Sequence, residues 1–231
     1  MIEEKLRQAA DRINSFKNEL KSGNRFFVDS SILTTFDAII NNYKKIIKQG
    51  TILYRGRINQ FMNKDPLPDN EMGMPDNKIL ANNRANPLGI NYLYLADDID
   101  TVIAELRPNK DAYITIAEFN IIKDLMVVEL SDELPYIDID RTVFSFGILL
   151  GNEFIKSVNA ELNIVEYLPT QYFSEYCKSK NFDGIKYLSG VTNTFRGFNY
   201  ALFRQSDVTC IKKEVRFIKN IRYTHEKTSS G

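Results

Sequence analysis

Histidine and cysteine are scarce in this sequence, and their scarcity excludes several kinds of site. The 231 residues include one histidine, His225, and two cysteines, Cys177 and Cys210. A Ser/His/Asp triad or a multi-histidine zinc site needs histidine at the reacting centre, and one histidine close to a polar C-terminus serves neither. Two cysteines this far apart form neither a C-x-x-C metal site nor a disulfide framework. We therefore expect reduced core cysteines and no bound metal.

Long apolar runs and an excess of either charge are also missing. No stretch approaches the roughly 18 uninterrupted apolar residues of a membrane span, and the first residues form a charged amphipathic pattern without a signal-peptide apolar region. The 30 basic residues balance 30 acidic ones, so no whole-molecule positive field draws the chain to nucleic acid. These absences predict a cytoplasmic protein that binds neither membranes nor nucleic acid directly.

The common glycine signatures of nucleotide-binding folds do not occur. The 11 glycines never form G-x-G-x-x-G or G-x-x-x-x-G-K-[ST], which disfavours Rossmann and P-loop domains. What the chain does have is 43% hydrophobic residues, including 15 Phe and 12 Tyr. This content is enough to bury a core without disulfides or a structural metal.

The first 50 residues have the pattern of two amphipathic helices. Apolar side chains recur at three- and four-residue steps over residues 2–21. A second helix is predicted from Ser31 to Lys48, with Ser30 or Ser31 as its N-cap. We interpret residues 1–50 as an N-terminal helical extension, and three roles stay open for it: covering the domain, self-association into a homodimer, or holding an inhibitor.

After residue 51 the pattern changes to short strands and helices separated by unequal connections. Strands are predicted near residues 51–54, 92–95, 112–119, 125–129, 184–188, 198–203 and 213–223, and helices near 99–107, 141–150 and 169–180. The regular βαβ alternation of a doubly wound sheet is missing. We therefore predict an α+β domain over residues 51–223 with mainly antiparallel short strands, followed by a polar C-terminal tail at 224–231.

One segment carries an ordered set of polar residues with characteristic spacing. Arg84 opens an R-x-N-x-x-G turn, Tyr94 follows ten residues later on a strand, and Glu105 follows after eleven more within A-E-L-R-P. Further blocks are Tyr54-Arg55-Gly56-Arg57 upstream and, downstream, Y-L-P-T-Q from Tyr167, F-D-G-I-K-Y-L-S from Phe182 and G-F-N from Gly197. In order and content, these blocks resemble the RES domain family over roughly residues 51–205.

The resemblance implies a fold and a function. Members of this family adopt a fold like that of ADP-ribosyltransferases, with helices around short strands, and are implicated in NAD degradation or ADP-ribosyl transfer. They commonly act as toxins paired with a helix-turn-helix antitoxin. The resemblance thus implies NAD as the substrate, and an antitoxin or a protein acceptor as the partner.

Glu105 is the candidate catalytic carboxylate. Cleavage of the nicotinamide–ribose bond builds positive charge on the ribose, and a fixed carboxylate stabilises that charge more in the transition state than in the ground state. Outside this motif, a glutamate at such a position usually forms a solvated pair with a neighbour such as Arg107. Its place between Ala104 and Leu106 on an apolar helix leads us to expect restricted access of water.

Arginine is the residue best suited to the pyrophosphate of NAD. Its guanidinium is planar, permanently charged and able to bond phosphate oxygens in pairs. Arg84, Arg55 and Arg57 are the candidates, with Arg55 ahead of Arg57 because it directly follows Tyr54. A lone arginine most often forms a surface salt bridge, so this hypothesis depends on the motif around each one.

Tyr94 and four weaker candidates complete the predicted site. Tyr94 offers a flat face to stack on nicotinamide or ribose and a hydroxyl to orient it. Ser189 is expected to bond a phosphate or ribose hydroxyl and not to act as a nucleophile, because no base is at hand. Asn199 is expected to add a polar contact, and Tyr54 and Gln171 are the weakest of these candidates.

Three functions remain open at this point. The first is cleavage of NAD with water or phosphate as the acceptor, as a glycohydrolase or phosphorylase. The second is transfer of ADP-ribose to a protein, which uses the same residues and an exposed acceptor surface. The third is a non-catalytic module that binds NAD or a partner, against which the intact set of Arg84, Tyr94 and Glu105 argues.

Overall fold

The fold is taken from a computed structural model that describes residues 2–76, 82–131, 140–156, 163–191 and 196–222. The helices are α1 (Ile2–Ser22), α2 (Ser30–Asn42), α3 (Asp69–Met72), α4 (Ile99–Leu106), α5 (Arg141–Ile155), α6 (Asn163–Glu166) and α7 (Leu168–Ser179). The strands are β1 (Lys44–Ile47), β2 (Ile52–Ile58), β3 (Leu93–Ala96), β4 (Tyr113–Ile121), β5 (Leu125–Leu130), β6 (Gly184–Leu188), β7 (Phe198–Leu202) and β8 (Val208–Phe217). Single 3₁₀ turns lie at Gln60–Met62 and Gln205–Asp207.

The strands form one sheet in the order β1-β5-β6-β7-β3-β2-β4-β8. Within the described residues, β5 and β6 run parallel and every other neighbouring pair is antiparallel. This confirms the predicted α+β class with mainly antiparallel strands. Strands β2 and β4 pair along their length, from Ile52↔Asn120 to Ile58↔Ile114, whereas β2 and β3 share the single pair Tyr54↔Ala96. The sheet therefore opens between β2 and β3.

Apolar side chains fill both faces of the sheet. On β5, Val128 belongs to a cluster formed with the helices, while the adjacent Val127 belongs to a cluster on the other face, as strand alternation requires. That second cluster includes Leu95 of β3 and Phe119 of β4, so it joins the two halves of the sheet across the split. Side-chain packing therefore holds the two halves of the sheet together, although β2 and β3 pair at a single position.

The N-terminal helices pack onto the helical face of the sheet. Ala9, Ile13, Phe16 and Leu20 of α1 are buried in the same cluster as Phe146 of α5. The apolar stripes are thus covered by the chain itself, and the structure supports the first of the three roles considered for this extension. The prediction that two helices precede the sheet is confirmed.

The predicted end and cap of the second helix are wrong. The helix ends at Asn42, and Lys44–Ile47 pairs with β5 as an edge strand on the N-terminal side of the boundary predicted at residue 51. Tyr43 explains the early end of the helix. Its ring is buried and its hydroxyl donates a hydrogen bond to Phe144 O at 3.0 Å, while its backbone carbonyl accepts from Glu129 N–H. Asp29, and not Ser30 or Ser31, caps the helix by accepting from Ser31 N–H.

Most other predicted elements lie within a few residues of their observed positions, with two exceptions. The last strand starts at Val208, not near 213, and the long loop at 63–91 contains the short helix α3. The tail at 224–231, with His225, lies outside the described residues. Cys177 is buried, Cys210 is half-buried, and both are free thiols.

Candidate active site

A cavity of about 550 Å³ lies where β2 and β3 part. It is bordered by both strands, by α4 and β7, and by the loop before β3. Seven of the nine candidate residues line it: Tyr54, Arg55, Arg57, Arg84, Tyr94, Glu105 and Asn199. The eighth, Ser189, donates a hydrogen bond to Glu105, and the ninth, Gln171, bonds to the loop that carries Arg84. The structure therefore places every candidate either at the cavity or against a residue that lines it.

Close packing of α4 on β2 brings Glu105 to the cavity. A Cβ atom at Gly56 would lie 2.5 Å from Val102 Cγ1 and 2.8 Å from Leu106 Cδ1, so only glycine lets the helix approach this closely. Asp98 caps α4 by accepting from Thr101 N–H at 2.7 Å. The cap and the glycine together fix the helix that carries the glutamate.

Two side chains orient the Glu105 carboxylate. Ser189 Oγ donates to Oε1 at 2.8 Å, and Asn199 Nδ2 donates to the same oxygen at 2.5 Å. Oε2 accepts no hydrogen bond from the described residues. Glu105 is exposed, so the expectation that its apolar helix restricts water is wrong. Ser189 and Asn199, predicted as ligand-binding groups, act on the carboxylate in this structure.

Arg55 and Arg57 are two positions apart on β2, so their side chains project from the same face of the strand. Arg55 Nη1 donates to Tyr94 O at 3.0 Å across the split, while its Nε is buried without a partner. Burial and the adjacent Arg57 charge lower the pKa of Arg55 to about 10, so it is still cationic at neutral pH. Arg57 forms no hydrogen bond or ion pair with the described residues. Both arginines therefore retain donors for an anion.

Arg84 is bound more extensively to the protein. Its Nη1 donates to Lys156 O at 2.6 Å and to Glu153 O at 3.4 Å, at the C-terminal end of α5. Its guanidinium lies 5.4 Å from the centre of the Tyr167 ring, within the range of a cation–π contact. Arg84 thus binds the end of a helix, where the carbonyls and the helix dipole favour a cation.

The hydroxyl of Tyr94 serves the loop before β3. It donates to Asn86 Oδ1 at 2.7 Å and accepts from Ala85 N–H at 3.2 Å. Burial raises the pKa of Tyr94 above its usual range, so the phenol stays neutral. The ring borders the cavity, as predicted for a stacking group, whereas the hydroxyl supports the backbone next to Arg84.

Gln171 is the residue that fixes the loop carrying Arg84. It is buried, and its Nε2 contacts Asn82 Oδ1 at 2.8 Å, Asn83 O at 2.8 Å and Asn86 O at 3.1 Å. Thr170 adds a short hydrogen bond from Oγ1 to Arg84 O. The sequence offered Gln171 only as a weak ligand-binding candidate, but its Nε2 bonds to the loop.

Two tyrosines that the sequence did not single out also line the cavity. Tyr167 begins the Y-L-P-T-Q block and Tyr187 lies within F-D-G-I-K-Y-L-S, so membership of these blocks was the available signal. Tyr187 is buried, and burial raises the pKa of its phenol well above the usual range. Both tyrosines provide apolar ring surface beside the charged groups.

A second cavity of about 260 Å³ adjoins the first. The two share Arg84, Glu105, Tyr167, Tyr187 and Asn199 as lining residues, and the second is further bordered by Arg107 and by the end of α5. Glu105 therefore lines two adjoining cavities. This arrangement can accommodate a ligand on either side of its carboxylate.

The described residues contain no cluster of three or more His, Cys, Asp or Glu side chains placed to hold a metal ion. Among them, no helix is both long enough and apolar enough to pass through a lipid bilayer.

Comparisons with known proteins agree with the sequence motifs. A family model described as RES domain matches residues 63–224, and this range begins just after the Tyr54-Arg55-Gly56-Arg57 block. None of the curated proteins matches the chain. A solved structure described as the M. tuberculosis MbcT-MbcA toxin-antitoxin complex contains a chain with 14% identity, a TM-score of 0.49, and coverage of 81% of this chain and 93% of that one.

Proposed function

The chain belongs to the RES domain family, and we propose that it is an NAD-consuming enzyme that cleaves the bond between nicotinamide and ribose. The observation that supports this most directly is the Glu105 carboxylate, oriented by Ser189 and Asn199 in the same cavity as two arginines with unused donors. A single fixed negative charge beside a cationic surface matches a substrate with a diphosphate and a reacting sugar carbon.

The charges of the cavity suit the diphosphate of NAD. Arg55, Arg57 and Arg84 line it together with one glutamate, and the cost of burying Arg55 falls when an anion pairs with it. The cavity of about 550 Å³ lies within the usual size range of small-molecule sites. We propose that Arg55 and Arg57 bind the diphosphate and that Tyr54 contributes ring surface beside them.

Glu105 acts on the charge that develops during cleavage. As the bond from ribose C1′ to the pyridinium nitrogen breaks, its electron pair passes to that nitrogen and nicotinamide leaves as a neutral molecule. The ribose becomes oxocarbenium-like, and the carboxylate stabilises it. The oxygen of the acceptor then bonds to C1′, and the acceptor's proton passes to Glu105 or to solvent. Burial keeps the phenols of Tyr94 and Tyr187 neutral, and the Tyr94 ring positions the nicotinamide or the ribose.

Family membership also favours a role as the toxin of a toxin–antitoxin pair. We propose that the chain depletes cellular NAD and that a helix-turn-helix antitoxin restrains it. Induced expression should lower cellular NAD and halt growth with the wild-type chain but not with Glu105→Gln. Normal growth and constant NAD at the same protein level would contradict a toxic role while leaving the enzymatic proposal to the test in vitro.

Product analysis tests the proposed reaction. Purified protein is incubated with NAD labelled in the adenine ring, with and without phosphate, and nicotinamide release is measured alongside the label. Free ADP-ribose identifies a hydrolase, a phosphorylated form that appears only with phosphate identifies a phosphorylase, and protein-bound label identifies a transferase. Glu105→Gln serves as the blank, and Glu214→Gln on the edge strand β8 as the matched control. Unchanged NAD after prolonged incubation would overturn the enzymatic proposal.

A further inference from the structure

Two lysines of helix α1 form ion pairs with residues next to the wall of the cavity. Lys17 Nζ lies 2.9 Å from Glu153 Oε1, and both side chains are largely buried, with 16% and 15% of their surface exposed. Lys21 forms a short ion pair with Glu166. Both pairs join residues more than 130 positions apart in sequence, so they connect separate parts of the fold.

Both glutamates lie next to groups that line the cavity. Glu153 is in the last turn of α5, where its own carbonyl and that of Lys156 accept hydrogen bonds from Arg84. Glu166 directly precedes Tyr167, whose ring contacts the Arg84 guanidinium. Any displacement of either glutamate therefore moves the partners of Arg84.

A third ion pair joins these two points. Lys156 Nζ lies 3.7 Å from Glu166 Oε2, so the end of α5 and the end of α6 are connected to each other and to α1. The hydrogen bond from Lys21 and the charges of neighbouring lysines lower the pKa of Glu166. Glu166 thus pairs with both Lys21 and Lys156, and the Lys17–Glu153 pair lies on the same last turn of α5, beside the Arg84–Tyr167 wall.

The helix holds its place independently of these lysines. Ala9, Ile13, Phe16 and Leu20 are buried against α2, α5 and α7, and this apolar face supplies most of its stabilisation. Replacing the lysines should therefore leave α1 docked. The lysines lie on a helix that precedes residue 63, where the family match begins.

We propose that Lys17 and Lys21 are positioning residues, through which α1 holds the Arg84–Tyr167 wall of the cavity in place for the substrate. This proposal rests on the proposed function, since the cavity that this wall encloses is taken to hold NAD. Loss of both ion pairs lets Arg84 and Tyr167 sample other positions. Substrate binding weakens as a result, whereas the Glu105 carboxylate, held from the other side by Ser189 and Asn199, keeps its geometry.

The kinetic test uses the double variant Lys17→Met/Lys21→Met in the full chain. We expect KM for NAD to rise on the order of threefold to tenfold with kcat changed less than about twofold. The double variant Lys17→Arg/Lys21→Arg should keep KM near the wild-type value, because arginine retains the charge. The exchange Lys17→Glu/Glu153→Lys, which reverses the charges of that one pair, should also keep KM near the wild-type value. Lys180→Met is the control, because its ion pair with Asp37 at 2.9 Å joins α7 to α2 away from the cavity.

Hydrogen–deuterium exchange gives a readout that does not depend on turnover. Peptides covering 82–91 and 165–171 should exchange faster in the double variant than in the wild type, and peptides of α2 should be unchanged. Unchanged KM and unchanged exchange would overturn the proposal, as would an equal effect of Lys180→Met. If the double variant does not fold, the single variant Lys21→Met is read by the same criteria. If the wild type leaves NAD intact, the proposed function fails, and the exchange comparison still decides the role of the lysines.

Discussion

The two walls of the cavity differ in how much of their polar chemistry the protein itself uses. On the strand wall, Arg57 has no partner among the described residues and Arg55 keeps a buried Nε unpaired. On the loop wall, Arg84 binds the end of α5, the Tyr94 hydroxyl binds the loop backbone, and Gln171 binds three acceptors. The strand wall thus keeps unused donors, which our proposal assigns to the ligand, while the side chains of the loop wall bond to the protein itself.

A residue of the motif can thus line the cavity and still spend its polar groups on the protein. Arg84, Tyr94, Arg55 and Arg57 were all predicted for the site from the same kind of signal, and all line it. Only the structure shows which donors remain available. Four experiments test the difference between the two walls, and their expected effects on the free energy of unfolding decrease in turn.

Gln171→Leu should have the largest effect. It leaves Asn82 Oδ1, Asn83 O and Asn86 O without their shared donor in a partly buried loop, which should lower the free energy of unfolding by about 2–3 kcal/mol. Denaturant unfolding followed by circular dichroism measures this, and exposed Gln60→Leu is the control. A loss no greater than that of the control would show that the loop wall does not depend on its internal hydrogen bonds.

Arg84→Met and Arg57→Met compare the two walls directly. Arg84→Met should cost about 1–2 kcal/mol of unfolding free energy, because it removes the hydrogen bonds to the carbonyls at the end of α5. Arg57→Met should change stability by less than about 0.5 kcal/mol and still weaken NAD binding, on the order of tenfold. Unfolding curves and calorimetric titration measure the two quantities. Equal destabilisation by both variants would remove the distinction between the walls.

Tyr94→Phe removes one hydroxyl from the loop wall. The Ala85 N–H and Asn86 Oδ1 lose a shared partner, so we expect a loss of about 1 kcal/mol in unfolding free energy and little change in kcat. Steady-state kinetics and thermal unfolding check both expectations. A fall in kcat of more than about tenfold without loss of stability would instead place the hydroxyl in the chemistry.

The smallest expected effect is the pH dependence of the Lys21–Glu166 pair. Its hydrogen bond from Lys21 lowers the pKa of Glu166 below the ordinary value of 4.5. The folded state therefore gains stability from this carboxylate above that value and loses the gain as pH falls through the lowered pKa. The pair is partly exposed, so its contribution should stay below about 1 kcal/mol.

The wild type and Lys21→Met are compared by unfolding between pH 7 and pH 3. Their difference should be constant at the upper end of this range and shrink towards the acidic end. A difference that grows on acidification would contradict the assigned sign.

The sequence predicted which residues line the cavity better than it predicted the partners of their side chains. Glu105 could be placed because the motif and the apolar pattern of its helix agree, and Asp98 with Gly56 then fixes that helix locally. The contacts of Arg84 could not be predicted from the sequence, because its partners at the end of α5 lie some 70 residues downstream. The end of α2 was wrong for the same reason, since Tyr43 follows its pairing with Phe144 and Glu129 and not the local helical period.

The most direct test of NAD cleavage at Glu105 is the kcat of Glu105→Gln with NAD at saturation, measured with the dissociation constant for NAD. Glutamine keeps the size of the side chain and an oxygen for Ser189 and Asn199 but removes the negative charge. We predict a fall in kcat of at least about 100-fold, with the dissociation constant unchanged within about threefold. A kcat equal to that of the wild type would contradict the role of Glu105 as the group that stabilises the developing charge.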